Sequence, residues 1–223
     1  MNRQTKVYKN VFDSKLLDTV KKYVDNKEEI HKQTVDGIVW SENKHSDLQD
    51  SESFTGKVLL PKIKKILGYD FDIHICCYKT SKFPYGLHND SHYENFGKAV
   101  GEDIEIDSVI KANDNTKLQT ILIPLVSGPE YRTLIFDVFD NDLKHMPSTL
   151  PDSWLTSTNQ LDIQDLMHIN EPARSQILQM PLEVDYQWEV GDIITWPREK
   201  IHCSIDFRRY GKAFKDFIVI FTA

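Results

Sequence analysis

The sequence predicts a mainly β fold with flanking helices (α+β), of sandwich or jelly-roll architecture, and three observations point to it. Helical hydrophobic periodicity is confined to the first third of the chain. From residue 71 onward, short runs rich in β-branched and aromatic residues follow one another, divided by turn residues. The last run, "DFIVIFTA", is apolar on both faces, as a buried strand requires.

In order, "VFDSKLLDTVKKYVDN" (11–26) places Leu16, Leu17, Val20 and Val24 on one helical face, with Asp13 or Ser14 as the cap. "FTGKVLLPKIKKILGYD" (54–70) reads as a second amphipathic helix, kinked or restarted at Pro61 and stopped by Gly68. The strand candidates are "FDIHICCYK", "LQTILIPLVS", "YRTLIFDVF", "DIITWP", "KIHCSI" and "DFIVIFTA". Residues 137–184 interrupt them with polar, Pro-containing sequence too long for a simple connection. The expected organisation is one domain over 1–223, with a helical N-terminal support (1–70), a β core (71–136 and 185–223) and an insertion or lid (137–184). A chain of 223 residues is long enough for one such domain with a full core.

Composition narrows the function. Hydrophobic residues make up 40% and charged residues 27%, a globular balance. A net charge of −7 argues against a broad phosphate-binding surface and so against nucleic acid as partner. No apolar run is long enough for a membrane span, and the opening "MNRQTKVYKNVF" has no signal-peptide pattern. Cys76, Cys77 and Cys203 form no CxxC pair, and adjacent strand residues such as Cys76 and Cys77 point to opposite faces. Reduced thiols in a cytoplasmic protein are expected.

The chemistry concentrates in "YGLHNDSHYENF" (85–96), where His88-Asn89-Asp90 and His92-Tyr93-Glu94 are overlapping H-x-[D/E] patterns. With 8 His and 34 acidic residues in 223, roughly one such pattern arises by chance, and His45-Ser46-Asp47 is a third. Context separates them. His88 ends a strand-like run, so His88 and Asp90 share one face and converge. An imidazole and a carboxylate, joined by one more His, compose the facial triad of non-heme iron oxygenases. His202, inside the strand "KIHCSI", is the distal candidate. His45 sits in a polar run without strand character, and His92 with Glu94 lies past the strand end, facing loop or substrate.

The surrounding order of residues resembles the Fe(II)- and 2-oxoglutarate-dependent dioxygenases, in their prolyl-4-hydroxylase-like branch. "CYKTSKFPYGLHND" supplies Tyr78, Tyr85, His88 and Asp90 in the order that family shows. Gly191-Asp192, "IITWP", His202 and "KDFIVIFTA" match its second half, so the likeness covers roughly 70–136 and 185–223. The resemblance implies a double-stranded β-helix (jelly roll, cupin-like) core. It also implies iron held by His88, Asp90 and His202, and a hydroxylase that uses O2 and 2-oxoglutarate, yields succinate and CO2, and takes ascorbate as an accessory reductant. The substrate would be a peptidyl residue, a free amino acid or another small metabolite.

That family anchors the distal carboxylate of 2-oxoglutarate with a basic residue near the last strand. Lys212 and Lys215 compete for the role, and strand register favours Lys215, whose face continues through Phe217 and Val219 into the barrel. The resemblance makes Tyr78 the second donor to that carboxylate, and Thr120, in "LQTILIPL", could line the same pocket. Trp196 reads as core packing, and Trp40 could border the substrate mouth. The rival reading is a non-catalytic cupin-like binding module, which would need neither the lysine nor the tyrosine.

Overall fold

A computed structural model describes residues 4–26, 31–45, 52–91, 118–140 and 148–222. Among the described residues ten strands fall in chain order: β1 (Lys6–Tyr8), β2 (His31–Val35), β3 (Ile38–His45), β4 (Ile73–Ser81), β5 (Gln119–Pro124), β6 (Gly128–Phe139), β7 (Leu182–Trp188), β8 (Ile193–Pro197), β9 (Lys200–Ser204) and β10 (Lys215–Thr222). Seven form one antiparallel sheet, in the order β1-β8-β5-β10-β4-β3-β2. The others form a smaller sheet, β7-β6-β9. The inner faces of the two sheets meet over a core that includes Leu122, Ile135, Trp188, Trp196, Phe217 and Val219. This is the jelly-roll architecture expected.

Two helices cover the outer face of the large sheet. Helix α1 (Ser14–Asp25) is capped by Asp13, whose side chain accepts from the Lys15 amide at 2.8 Å. Helix α2 (Phe54–Leu67) is capped by Ser53 and ends at Gly68, whose φ of 77° suits glycine. Pro61 is accommodated inside α2, which continues as one helix and does not restart there. Leu17, Val20, Val24, Leu59 and Ile63 pack against Cys76, Tyr78, Ile218 and Ile220 of the sheet.

The first 70 residues also contribute three strands, where only helices were expected. β2 and β3 carry mixed polar sequence, so no alternation marks them. Their signal was the turn: Asp36 and Gly37 have φ of 50° and 78°, as a two-residue Asp-Gly hairpin requires. This hairpin also corrects the reading of His45, which ends strand β3 opposite Cys77. β7 was likewise missed, because its polar outward residues dilute it.

An insertion or lid was the expectation for residues 137–184, and the described part of that segment is packed. Residues 148–181 form short turns that bury Trp154, Leu166, Ile177 and Met180 against Leu134, Phe136 and Ile201 of the small sheet's outer face. Gly191 is required in its turn: a side chain there would meet the Phe12 carbonyl oxygen at 2.4 Å, and its φ is 98°. Cys76, Cys77 and Cys203 are buried free thiols. No helix among the described residues is long and apolar enough to cross a membrane.

Candidate active site

The segment after β4 extends the small sheet by one irregular line. Backbone bonds run from the His88 amide to the His202 carbonyl (3.0 Å) and back (2.9 Å), and from the Ser204 amide to the Tyr85 carbonyl (3.0 Å). The Asp90 amide bonds the Arg198 carbonyl at 2.7 Å, and the Arg198 guanidinium returns a bond to the Asp90 carbonyl at 3.0 Å. This pairing sets His88 and Asp90 beside His202 of β9.

The three side chains then converge. Asp90 Oδ2 lies 3.4 Å from His202 Nε2, and Asp90 Oδ1 lies 3.8 Å from His88 Nε2. The ligand atoms of all three lie within 4.8 Å of one another. Atoms each about 2.0–2.2 Å from one ion are at most about 4.4 Å apart, so both measured spacings suit a shared ion. The tautomers suit it as well. His88 Nδ1 bonds the Gly86 carbonyl (2.8 Å) and His202 Nδ1 bonds the Lys200 carbonyl (3.0 Å). A carbonyl can only accept, so Nδ1 carries the proton and each Nε2 presents a lone pair toward Asp90. Burial, and then the neighbouring His202, hold His88 well below the usual imidazole range, which keeps it a neutral ligand. Thr120 Oγ1 donates to Asp90 Oδ2 at 2.6 Å and orients the carboxylate.

The triad opens into a cavity of about 390 Å³, a volume suited to a small molecule. β10 lines it from Lys215, at its start, to Phe221, which lies opposite Thr120. The lysine and the triad therefore stand at opposite ends of one strand's run along the wall. Lys215 is 3% exposed and, among the described residues, has neither a carboxylate nor a hydrogen-bond partner. Aromatic rings surround it instead: its Nζ lies 5.1 Å from the centroids of Tyr85 and Trp188, 5.7 Å from Phe217 and 5.8 Å from Phe207. Burial, and then the like charge of Lys79, push this ammonium down to about 7. By contrast, the fully buried Lys200 is paired with Glu183 and Asp137.

Most sequence-predicted residues reach the cavity, and one does not. His88, Asp90, His202, Lys215 and Thr120 all line it, although Thr120 spends its hydroxyl on Asp90 and is no free donor to a ligand. Tyr78 faces the other way. It pairs with Ile218 across β4 and β10, packs in the helix-side core, and has its phenol raised by burial and then by Asp216 and Asp25. Strand alternation puts its neighbours Cys77 and Lys79 on the inner face, so Tyr78 cannot serve a ligand in the cavity. The residues that the sequence reading left without a role are Lys79 and Tyr85, both cavity-lining. The i, i+2 step from Cys77 was the available signal for Lys79.

The other candidates also resolve. Lys212 is paired with Glu130 at 2.6 Å on the surface. Arg208 and Arg209 pair with Asp206 and with Asp162 and Asp165. Trp196, read as packing, does pack, yet its ring also lines the cavity 4.9 Å from the His202 ring. Trp40 stacks on Phe83 at 4.9 Å and is not among the residues that line the cavity. His92 and Glu94 lie outside the described residues.

No protein-family model and no curated protein matches the sequence. Solved structures do match the fold. The non-heme alpha ketoglutarate dependent carbocyclase SnoK from nogalamycin biosynthesis aligns with a TM-score of 0.57 at 11% identity, over 99% of this chain and 79% of that one. This chain has the fold of the 2-oxoglutarate-dependent iron oxygenases. The epimerase SnoN, in complex with Fe3+, alpha ketoglutarate and nogalamycin RO, aligns with a TM-score of 0.53 at 14% identity, over 99% and 79%. HygX from Streptomyces hygroscopicus, with nickel and 2-oxoglutarate bound, aligns with a TM-score of 0.52 at 12% identity, over 99% and 83%.

Proposed function

We propose that this protein is an Fe(II)- and 2-oxoglutarate-dependent oxygenase that hydroxylates a C–H bond of a small-molecule or peptidyl substrate. One observation carries the reading: a single cavity joins a His-Asp-His ligand set to a buried ammonium that has no counter-ion among the described residues. The ligand set calls for a divalent ion with open positions, and the ammonium calls for a carboxylate. 2-Oxoglutarate meets both demands. The motif order that resembles the prolyl-4-hydroxylase-like branch supports the same reading.

His88, Asp90 and His202 would hold Fe(II), which, when bound, supplies O2 activation coupled to oxidative decarboxylation of 2-oxoglutarate. The rest is the work of the chain. Lys215 binds the distal carboxylate in a desolvated setting, where a charge-assisted bond is strong. Trp188, Phe207 and Phe217 keep water from that contact. The Gly86 and Lys200 carbonyls hold both imidazoles in the ligand tautomer, and Thr120 fixes one carboxylate oxygen of Asp90. One substrate C–H, O2 and 2-oxoglutarate give the alcohol, succinate and CO2. Ascorbate is expected to sustain turnover, and the buried free thiols suit a reducing, cytoplasmic setting.

A substrate screen with Fe(II), 2-oxoglutarate, ascorbate and O2 tests this, read by succinate release and by product mass. Succinate with a gain of one oxygen supports hydroxylation. Succinate with no oxygen gained favours ring closure or epimerisation, the activities named for SnoK and SnoN. If neither succinate nor a 2-oxoglutarate chelate forms, the protein is a non-catalytic cupin-like module.

A further inference from the structure

We propose that Tyr85 supplies the second donor to the distal carboxylate of the co-substrate, so that its phenol O–H and the Lys215 ammonium grip that carboxylate together. This rests on the oxygenase reading above and moves to Tyr85 the role that the sequence reading gave Tyr78.

The cavity wall points to Tyr85. Two of its lining side chains, Tyr85 and Trp196, carry a buried polar atom with no hydrogen-bond partner among the described residues. The Trp196 ring stands at the triad end, 4.9 Å from the ring of His202. The Tyr85 ring stands between the two ends, 5.1 Å from Lys215 Nζ and 5.7 Å from the ring of His88. A buried hydroxyl left unpaired costs free energy, and an anion arriving at Lys215 relieves that cost. Tyr78 has an unpartnered phenol as well, but it packs in the helix-side core, away from the cavity.

The reach is right. A phenol oxygen stands about 2.8 Å from its ring centre, so it lies within about 8 Å of the ammonium. A carboxylate that accepts one bond of about 2.8 Å on each oxygen spans up to about 8 Å between its donors. The backbone beneath the ring is fixed. The Tyr85 amide donates to Ser204 Oγ at 2.8 Å, and the Tyr85 carbonyl accepts from the Ser204 amide at 3.0 Å and from His168 Nε2 at 3.2 Å. Ser204 follows His202 by two residues on β9, so the strand that carries a metal ligand also sets the phenol. Lys79 Nζ lies over the same ring, 4.8 Å from its centroid. An ammonium can only donate, so any bond that Lys79 gives the phenol takes an oxygen lone pair and leaves the phenol proton for the ligand. The phenol donates while neutral, so it strengthens the grip without adding a buried charge.

The rival role is structural, with the phenol holding the wall and touching no ligand. Tyr85→Phe separates the two, because it removes the hydroxyl and keeps the ring beside Lys215. The experiment titrates 2-oxoglutarate into the anaerobic, Fe(II)-loaded full chain, with the chelate absorption band as readout. 2-Oxopentanoate, which keeps the chelating end and lacks the distal carboxylate, is the control ligand. Tyr85→Phe is expected to weaken 2-oxoglutarate binding roughly ten- to hundredfold, to leave 2-oxopentanoate binding and metal content unchanged, and to melt no lower than wild type when empty. If Tyr85→Phe binds 2-oxoglutarate as wild type does, or loses both ligands equally, the second-donor role is wrong while the oxygenase reading stands. If wild type itself forms no 2-oxoglutarate chelate, the oxygenase reading falls, and this inference falls with it.

Discussion

The two ends of the cavity are built on opposite principles. At the triad each ligand side chain has an internal partner: two carbonyls hold the imidazoles, Thr120 holds Asp90, and the backbone bridge between His88 and His202 sets the spacing. At the lysine end Lys215 has rings and, among the described residues, no anion. The first end is preorganised by hydrogen bonds, which cost little to keep waiting. The second is held in an uncomfortable state that a ligand relieves. A site can be prepared for a cation by satisfying its ligands, and for an anion by leaving a charge unsatisfied.

The contrast can be broken most sharply at Asp90. Asp90→Ala should lower metal affinity by more than about a hundredfold, since replacing even the groups that orient ligands costs 10–100-fold; metal content after dialysis measures it. Lys215 comes next. Lys215→Met should weaken 2-oxoglutarate binding by roughly 2–5 kcal/mol, as when one member of a buried charge pair is lost, with metal content unchanged. The same variant carries a pH signature. The folded-state pKa of Lys215, about 7, lies below its ordinary 10.5, so the unfolded chain binds the extra proton between those values. The buried charge therefore costs most below pH 7, and the cost fades toward pH 10.5. Empty Lys215→Met should be more stable than wild type at pH 7 and below, by on the order of a few kcal/mol, and the gap should close as pH rises. Denaturant melts across that range would show it, and a gap that widens with pH would refute it.

Smaller effects sharpen the picture. Thr120→Val keeps the shape and removes the bond to Asp90, so metal affinity should fall roughly tenfold while 2-oxoglutarate selectivity is retained. Tyr78→Phe and Lys212→Ala should leave the 2-oxoglutarate titration unchanged, because one phenol faces the helices and the other side chain is an exposed ion pair with Glu130. Tyr78→Phe should alter stability by no more than about 1 kcal/mol. A weakened chelate in Tyr78→Phe would mean that the inward face of β4 has been misassigned.

Legibility followed how local each signal was. Helix α1 could be read because its apolar face and its Asp13 cap are contiguous in sequence. β5, β8, β9 and β10 could be read because strands buried on both faces carry short runs rich in β-branched and other apolar residues. β2 and β3 could not, because β2 is the sheet's edge and the sequence of both is mixed and polar, and the Asp36-Gly37 turn was the sole mark. Residues 148–181 did not read as a packed cover for a related reason: the apolar residues that make the cover over the small sheet are scattered through polar turns.

The sequence by itself determined the local pairings of function: that His88 and Asp90 share a face, that Lys215 continues the face of Phe217 and Val219, and that Lys212 does not. Period-two alternation carries that information within a strand. What only the tertiary structure decided is which of two alternating faces is the inside. The β4–β10 register sets Tyr78 opposite Ile218 and Lys79 opposite Phe217, and the helices claim the first pair while the cavity claims the second. A strand specifies its two faces only relative to each other; the packing of other elements against one of them chooses between Tyr78 and Lys79.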